Sequence, residues 1–308
     1  MTTTHAAVSR IVDLDGPTHY LDFGGPADGP LIVAVHGLGG SAWNWLAVAP
    51  ALTERCRMVA IDLAGHGLSP AAGRSTTVLA NRGLLDRFLG EVIGEPVVLM
   101  GNSMGGLITL LESAAAPALI AGAVLVDPAL PHPLFSRVDK RVALQFAIIA
   151  APGIGGMLLD RRRRRQSVAT QVHNTLMLCT VDMSRVPPEV IAAGIAAIES
   201  RRPGDFRASD LVDAGRSLIR LLARPQVVRR AFERVTAPVL MLHGDQDRLV
   251  PINLAAATAR AFPAWRFEVA NDIGHVPMLE APHWMTGLVL DWLEHDAKLL
   301  GAVANASG

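Results

Sequence analysis

Short apolar runs alternate with amphipathic stretches over the first part of the chain, and the same alternation resumes near residue 237. Between residues 31 and 127 the runs are rich in Val, Leu and Ile, which is typical of strands buried on both faces of a parallel sheet. The pattern predicts strands at 18–23, 31–36, 57–62, 96–101, 122–127, 238–243 and 265–270, with a weaker one near 8–14. It predicts helices at 44–54, 76–93, 104–115, 252–262 and 281–297. We therefore expect an α/β fold with a doubly wound, mostly parallel eight-stranded sheet flanked by helices.

The alternation stops between residues 129 and 236, where helical segments and turns are punctuated by prolines and no buried strand is evident. We interpret this stretch as an inserted helical cap over the carboxyl edge of the sheet, where ligands bind in open α/β folds. The predicted domains are a core of residues 1–128 and 237–298, a cap of residues 129–236 and a frayed tail of residues 299–308.

Composition narrows the function classes. Half of the 308 residues are apolar and 18% are charged, as in globular chains. The formal net charge is zero, so no nucleic-acid partner is predicted. Cys56 and Cys179 match no zinc or redox spacing, and a reducing compartment fits them. Since the N-terminus shows no apolar signal segment, the prediction is a cytoplasmic protein.

A largely apolar stretch at 142–159 precedes Asp160 and five consecutive arginines, Arg161 to Arg165. Prolines and glycines interrupt it, which argues against a membrane-spanning helix. The default interpretation is two short buried segments of the cap followed by a solvated basic face. The alternative is peripheral membrane contact through residues 142–165, with apolar side chains in the lipid and arginines at its surface.

Candidate chemistry begins at the end of the run 96–101, where the chain reads Gly101-Asn102-Ser103-Met104-Gly105 before a helical pattern. This strand, tight turn and helix form the G-x-S-x-G nucleophile elbow, with Ser103 at the turn. The two glycines let backbone pass close to backbone where a Cβ would clash.

A serine hydroxyl needs an adjacent base to act as a nucleophile, and two later segments offer one. An apolar run ends at Gly244, with Asp245 and Asp247 just after it, and His275 lies between the last strand and the last helix. The chain order Ser, Asp, His is that of α/β-hydrolases. Ser103 would attack an acyl carbon, His275 would take its proton, and Asp247 would orient the imidazole.

The tetrahedral oxyanion needs fixed donors. We predict the backbone N–H groups of Leu38 and Met104, because Leu38 lies in the glycine-rich loop 36–40 and Met104 follows the nucleophile. Trp43, Asn102 and Val276 are predicted substrate contacts, although the pattern around Trp43 favours core packing of the first helix over a pocket wall.

These pieces resemble the serine hydrolases of the α/β-hydrolase fold that carry a helical cap. The matching segments, in order, are 36–40, 62–69, 101–105, 244–251 and 274–282. The family pattern places the acid three residues after the glycine that ends its strand, which favours Asp247. Asp245 then forms a turn, although the two roles could be reversed, and Asp127 is a third and weaker candidate. His36, His66 and His243 are interpreted as local hydrogen-bonding residues.

The resemblance implies an enzyme that hydrolyses a carboxylic ester with a partly apolar acyl or alcohol group. Epoxide hydrolases and haloalkane dehalogenases carry aspartate at the elbow, where this chain has Ser103. The elbow also resembles that of hydrolases that cleave carbon–carbon bonds of ring-fission products, but the aromatic residue they carry after the histidine is Val276 here. Carbon–carbon cleavage is the second interpretation and cofactor-free perhydrolysis the third. A non-catalytic small-ligand binding protein of the same fold is the alternative of another class.

The apolar residues of the predicted cap could line an acyl channel or could simply pack the cap on the core. They are Leu144, Phe146, Ile148, Ile149, Met157, Leu176, Met177 and Leu178. No cluster has metal-ligand spacing, so neither a metal nor a cofactor is predicted. The predicted partner is a small-molecule ester, and the chain is expected to be a monomer or homodimer.

Overall fold

One eight-stranded sheet organises the computed structural model, which describes residues 7–131, 142, 144, 147–149, 151 and 154–300. The strands are β1 (Val8–Asp13), β2 (Pro17–Gly24), β3 (Leu31–Val35), β4 (Arg57–Ile61), β5 (Val97–Asn102), β6 (Ile120–Val126), β7 (Val239–Gly244) and β8 (Arg266–Ala270). Their spatial order is β1-β2-β4-β3-β5-β6-β7-β8. Strand β2 runs antiparallel to β1 and β4, and the other pairs are parallel, which confirms the predicted sheet.

Helices flank the sheet and fill the segment between β6 and β7. The first group is α1 (Ala49–Leu52), α2 (Val78–Arg87), α3 (Met104–Ala115), α9 (Ile252–Ala261), α10 (Pro277–Glu280) and α11 (Pro282–His295). The second group is α4 (Gly155–Arg164), α5 (Val168–Cys179), α6 (Pro188–Glu199), α7 (Ala208–Leu222) and α8 (Pro225–Phe232). Short 3₁₀ turns lie at Ala42–Trp45, Pro117–Leu119 and Met183–Arg185, and a wider π turn, Phe88–Ile93, extends α2.

The first predicted helix, 44–54, is in fact two short pieces, Ala42–Trp45 and α1. Pro50 lies in the first turn of α1, where its missing N–H is tolerated. In a continuous helix its ring would clash with the carbonyl of Leu46, so the chain must break between the two pieces.

Strands β3 to β7 are buried on both faces because their side chains alternate between two apolar clusters. Val33 and Val35 join the cluster that contains residues of α2 and α3, whereas Ile32 and Ala34 join the cluster that contains residues of α11. Trp292 of α11 is almost fully buried against the sheet, and a Cβ on Gly122 would lie 2.7 Å from its ring. The central strands are therefore held from both faces, and the loops that follow them lie together at the carboxyl edge of the sheet.

No strand occurs among the described residues between β6 and β7. Helices α7 and α8 pack on α2 and α3, and α6 packs on the turn Ala42–Trp45. The division into a core of 1–128 and 237–298 and a cap of 129–236 stays a prediction.

Of the predicted tail 299–308, Leu299 and Leu300 fold back on α11 through N–H bonds to the Leu293 carbonyl, and residues 301–308 lie outside the described residues. Within the described part of the chain, no helix is long and apolar enough to cross a membrane.

Glu112 is a buried acid on α3, and it makes folding stability depend on pH. Arg82 donates to its Oε2 at 2.9 Å, while Oε1 is buried with no partner among the described residues. Burial raises the pKa of Glu112 from 4.5 to about 7, and Asp86 adds to the increase. The folded protein thus holds this proton more tightly than the unfolded chain.

We expect the contribution of Glu112 to the free energy of unfolding to be largest below the pKa that it has in the unfolded chain. This contribution should be lost as pH rises through about 7. The loss should be about 3 kcal/mol, since one pKa unit corresponds to ~1.36 kcal/mol. Urea unfolding at pH 5 and pH 8 should show this loss in the wild type and not in Glu112→Gln. Equal pH responses of the two proteins would contradict the assignment.

Candidate active site

A sharp, strained turn at Ser103 lies at the carboxyl edge of the sheet. Strand β5 ends at Asn102, Ser103 has φ 55° and ψ −118°, and α3 begins at the next residue. A Cβ on Gly101 would lie 2.4 Å from the Gly105 carbonyl oxygen, and one on Gly105 would lie 2.3 Å from the Val35 carbonyl oxygen. Only glycine fits either position, so the elbow is specified by the sequence.

The turn is held by backbone bonds that leave the serine hydroxyl available. The Ser103 N–H donates to the Val126 carbonyl at 3.0 Å, and its carbonyl accepts from Ala129 at 2.9 Å. Ser103 is half-buried, whereas the four residues around it in the elbow are buried. The positive φ therefore presents one hydroxyl at the start of α3, where the helix N-terminus favours negative charge.

Asp247 and His275, far apart in the chain, form a buried pair. Oδ2 of Asp247 lies 2.7 Å from Nδ1 of His275, and Oδ1 accepts from the N–H groups of Leu249 at 2.7 Å and Val250 at 3.0 Å. Burial alone would raise the pKa of Asp247, but the His275 side chain, His243 and the Val250 N–H together hold it below its ordinary value. A charged Asp247 then accepts a hydrogen bond from the Nδ1–H group of His275, and this tautomer leaves Nε2 unprotonated as the basic nitrogen.

Asp245, the competing acid, supports a turn. Its Oδ1 accepts from the N–H of Asp272 at 2.7 Å and of Ile273 at 3.4 Å. These bonds join the loop after β7 to the loop that carries His275, and they turn the Asp245 carboxylate toward backbone.

Asp127, the third candidate for the catalytic acid, lies close to Asp247 at the end of β6. Its Oδ1 accepts from the Gly244 N–H at 3.0 Å, and its Oδ2 is buried with no partner among the described residues. Burial and the charge of Asp247 raise the pKa of Asp127 well above its ordinary value, which favours its neutral, protonated form. A neutral carboxyl group cannot stabilise an imidazolium as Asp247 can.

Ligand atoms of Asp127, His243 and Asp247 all lie within 4.8 Å of one another, close enough for a metal ion. The donor set is a poor fit, because burial favours the protonated form of Asp127 and Asp247 already accepts from His275. Nε2 of His243 donates to the Val250 carbonyl at 2.8 Å, and burial lowers the pKa of His243. A metal would have to displace these bonds, so we assign it no role.

Asn102 connects the elbow to the histidine loop, residues 271–276. Its Nδ2 donates to the carbonyls of Val126 at 3.0 Å and His275 at 3.1 Å, and its side chain is buried. Both N–H donors are therefore used inside the protein. Neither donor is free for a substrate, so the predicted substrate contact gains no support from them. The bonds instead make Asn102 a positioning residue that holds the His275 backbone next to the turn at Ser103.

Glu280 anchors the same loop from its other side, a role that sequence reasoning missed. Its Oε2 accepts from the Gly274 N–H at 2.8 Å, and its Oε1 accepts from Val181 at 2.8 Å and Asp182 at 3.0 Å. The His275 N–H adds a bond to the Cys179 carbonyl at 2.7 Å. The histidine loop is thus tied to the end of α5. The available signal was an acid inside the apolar run 276–282.

Replacing Glu280 by glutamine should lower the free energy of unfolding by about 2 kcal/mol, because an amide cannot accept all three N–H bonds and leaves buried donors unpaired. Any ester hydrolysis should fall more than about tenfold in kcat as His275 loses its fixed position. Glu189→Gln, at an exposed site on α6, is the matched control. Urea unfolding and steady-state kinetics measure both effects, and a Glu280→Gln protein that behaves like the control would contradict this role.

The loop His36–Gly40 approaches the serine closely, as predicted for an oxyanion hole. A Cβ on Gly37 would lie 3.1 Å from Cβ of Ser103. His36 fixes the loop, since its Nδ1 donates to the Gly37 carbonyl at 2.7 Å and its Nε2 accepts from Leu63 at 3.1 Å. Among the described residues, the Leu38 N–H has no acceptor.

The Met104 N–H lies in the first turn of α3, where helix geometry provides no acceptor for it. Neither of the two predicted donors, Leu38 and Met104, thus has an acceptor among the described residues, and their role as oxyanion donors stays a prediction.

Val276 and Trp43 belong to the core side of the site. Val276 is 5% exposed within the apolar cluster of α11, which argues against the predicted substrate contact. Trp43 is half-buried against the same cluster.

The residues predicted to line an acyl channel differ in their exposure to solvent. Leu144, Met157 and Met177 are 64%, 68% and 45% exposed and face solvent, Ile149 is buried, and Phe146 lies outside the described residues.

Comparisons with known proteins agree with this architecture. The magnesium-chelatase 30 kDa subunit of Rhodobacter capsulatus is 26% identical, over 88% of this chain and 89% of its own. Monoacylglycerol lipase abhd6-B of Xenopus laevis is 25% identical, over 89% of this chain and 78% of its own. The pimeloyl-(acyl-carrier protein) methyl ester esterase of Aromatoleum aromaticum is 28% identical, over 85% of this chain and 97% of its own.

The fold is shared with solved structures of low sequence identity. A thermophilic esterase from Thermogutta terrifontis superimposes with a TM-score of 0.68 at 22% identity, over 96% of this chain and all of that one. The model of the alpha/beta hydrolase family matches residues 32–287, which include every strand from β3 to β8 and the elbow. The chain therefore belongs to the alpha/beta hydrolase family.

Proposed function

We propose that this hydrolase is a serine enzyme that cleaves a carboxylic ester with a partly apolar acyl or alcohol group through an acyl-enzyme. The observation that carries the proposal is the buried pair of Asp247 and His275, whose side chains lie 2.7 Å apart. Asn102 ties the loop that carries His275 to the nucleophile elbow. A purely structural role for Ser103 would not explain why this half-buried residue is held at a strained positive φ.

The chemistry follows from these positions. Nε2 of His275 accepts the Ser103 proton while the serine oxygen bonds to the ester carbonyl carbon. The N–H groups of Leu38 and Met104 stabilise the resulting oxyanion. The tetrahedral intermediate collapses, the imidazolium gives its proton to the leaving alcohol, and an acyl-Ser103 ester remains. Water, deprotonated by His275, then attacks that ester and releases the acid and the free serine.

A partly apolar substrate is supported by the surface beside the oxyanion loop. A Cβ on Gly215 of α7 would lie 2.7 Å from Cγ2 of Ile149 and 3.3 Å from Cδ2 of Leu38, so both apolar side chains lie against this point of α7. Two relatives, a monoacylglycerol lipase and a methyl ester esterase, have names that describe ester cleavage.

Pre-steady-state hydrolysis of p-nitrophenyl esters tests the proposal. We expect a burst of p-nitrophenolate equal to the enzyme concentration, because acylation precedes slower deacylation. We also expect octanoate and longer esters to exceed acetate in kcat/KM. Acetate preferred by a wide margin would remove the apolar part of the proposal, and a purified protein with neither burst nor turnover would favour the binding-protein alternative.

Peripheral membrane contact through residues 142–165 is also proposed. Large apolar side chains are exposed there at Leu144, Ile154, Met157 and Leu158, and arginines 161, 162, 164 and 165 are exposed just beyond them. This arrangement suits an anionic bilayer, with apolar groups inserted and guanidinium groups at the phosphates.

Co-sedimentation with anionic vesicles should be lost in Met157→Asp and kept in Leu79→Asp, which alters a similarly exposed apolar residue of α2. Equal sedimentation of both variants would refute the contact.

A further inference from the structure

A small polar pocket opens beside the oxyanion loop, and catalysis as described above does not use it. Its walls include Gly39, Gly40, His66, Arg163, Arg201 and Arg207. The first two are the last residues of the oxyanion loop. Arg163 is the one member of the five-arginine run that turns inward and is half-buried. The run is therefore split between an outer basic face and this pocket, which its sequence pattern did not reveal.

The two half-buried arginines of the pocket, Arg163 and Arg201, lack a direct ion-pair partner within the described part of the chain. Nε of Arg201 donates to the Gly67 carbonyl at 2.8 Å, and its guanidinium lies 4.4 Å from the centre of the Phe206 ring. These contacts orient the group without neutralising it. Burial and the nearby charge of Arg163 lower the pKa of Arg201 to about 10.

Three acids lie near these arginines, and none forms an ion pair with them among the described residues. Asp160 of α4 and Asp210 act on Arg163 only through the charges they carry. Asp62 is buried and bonded to Nδ1 of His19 at 2.6 Å. Asp210 accepts from the Arg207 N–H at 3.1 Å at the start of α7. Two half-buried guanidinium groups without a carboxylate partner are unfavourable unless an anion is supplied from outside.

His66 provides an independent observation at the same wall. It is 2% exposed, its Nδ1 donates to the Ala64 carbonyl at 3.1 Å, and its Nε2 is buried with no partner among the described residues. Unpaired buried polar atoms are rare in folded proteins. Because Nδ1 carries the proton and burial lowers the pKa of His66 to about 3, Nε2 is an acceptor. A ligand hydroxyl, such as the P–OH of a monoprotonated phosphate, would complete its bonding, whereas a carboxylate would have to bond to the arginines alone.

We infer that this pocket binds an oxyanion, a carboxylate or phosphate group carried by the substrate at a distance from its scissile ester. Arg163 and Arg201 would donate charge-assisted hydrogen bonds to its oxygens. Because Gly39 and Gly40 line the pocket and Leu38 precedes them, one short loop would serve both the reacting carbonyl and the acidic group. The assignment to the substrate rests on the proposed ester hydrolysis, whereas anion binding itself does not.

Anion binding is tested without catalysis. Titration calorimetry of the full chain with sodium phosphate, and separately with succinate, should show binding that Arg201→Gln and Arg163→Gln each weaken about tenfold or more. Arg162→Gln removes the same charge from an exposed position on α4 and should bind like the wild type. Melting temperatures in the absence of anion check that the variants are folded. No binding of either anion, or equal weakening by all three variants, overturns the site.

Kinetics test its use by the substrate. The p-nitrophenyl esters of hexanoic acid, of adipic acid (as the half ester) and of a phosphate-ended acid of equal length differ only in the distal group. Arg201→Gln should raise KM for at least one acid-ended ester about tenfold, with kcat within about twofold and the neutral ester unchanged. The ester with the larger effect identifies carboxylate or phosphate.

Unchanged KM for both acid-ended esters, despite anion binding, overturns the assignment to the substrate. If no ester is hydrolysed and anions still bind through Arg201, the proposed hydrolysis fails and the anion site stands.

Discussion

Replacing Ser103 by alanine is expected to lower kcat for p-nitrophenyl ester hydrolysis by about 10,000-fold or more, since loss of a nucleophile leaves only binding and the oxyanion donors. KM should change little, because the hydroxyl contributes to bond formation and not to holding the apolar part of the substrate. The fold should persist, because the backbone of Ser103 makes the bonds that hold the turn. Steady-state kinetics and circular dichroism measure these effects.

Ser75→Ala is the control, since Ser75 is an exposed serine outside the site. A Ser103→Ala protein that kept more than about a tenth of the activity would assign the nucleophile to another residue or to water.

Replacing Asp247 by asparagine is expected to lower kcat about 10,000-fold while leaving the fold intact. The amide keeps the size of the side chain but removes the charge that stabilises the imidazolium. It can also donate to Nδ1 of His275, which favours the tautomer with its proton on Nε2 and removes the base. The effect should be on kcat and not on KM.

The two other candidate acids serve as matched controls. Asp127→Asn should keep kcat within about tenfold, because burial and the charge of Asp247 favour the protonated form of Asp127 and the amide is also neutral. Asp245→Asn should also remain within about tenfold, because Asp245 bonds to backbone N–H groups of the turn. A larger loss in Asp127→Asn than in Asp247→Asn would move the catalytic acid to β6.

The sheet and the elbow were predictable because their signals are local. Continuous Val, Leu and Ile runs specify buried parallel strands, and Gly101 and Gly105 meet backbone oxygens at distances that exclude a Cβ. The pairing of Asp247 with His275 was also predictable, since loops that follow neighbouring parallel strands meet at one edge of the sheet.

The supports of the site were not predictable, because they depend on contacts between distant segments. Glu280 bonds to N–H groups at the end of α5, nearly one hundred residues earlier, and only the folded chain brings them together. Asn102 was expected to face substrate, yet its amide points into the protein, because the His275 carbonyl lies within its reach.

The arginine run could not be divided from sequence, since residue spacing alone does not say which helix face meets a neighbour. In the folded chain α4 packs against α7, and this turns Arg163 toward the pocket that Arg207 and Arg201 also line.

Covalent labelling by a fluorophosphonate probe tests the central claim most directly, because the probe reacts only with a serine made nucleophilic by a neighbouring base. Intact-protein and peptide mass spectrometry should show one adduct per chain, on the peptide that contains Ser103, and no adduct in Ser103→Ala or after loss of the base in His275→Ala. An unlabelled wild type, or an adduct that persists in both variants, would contradict the account.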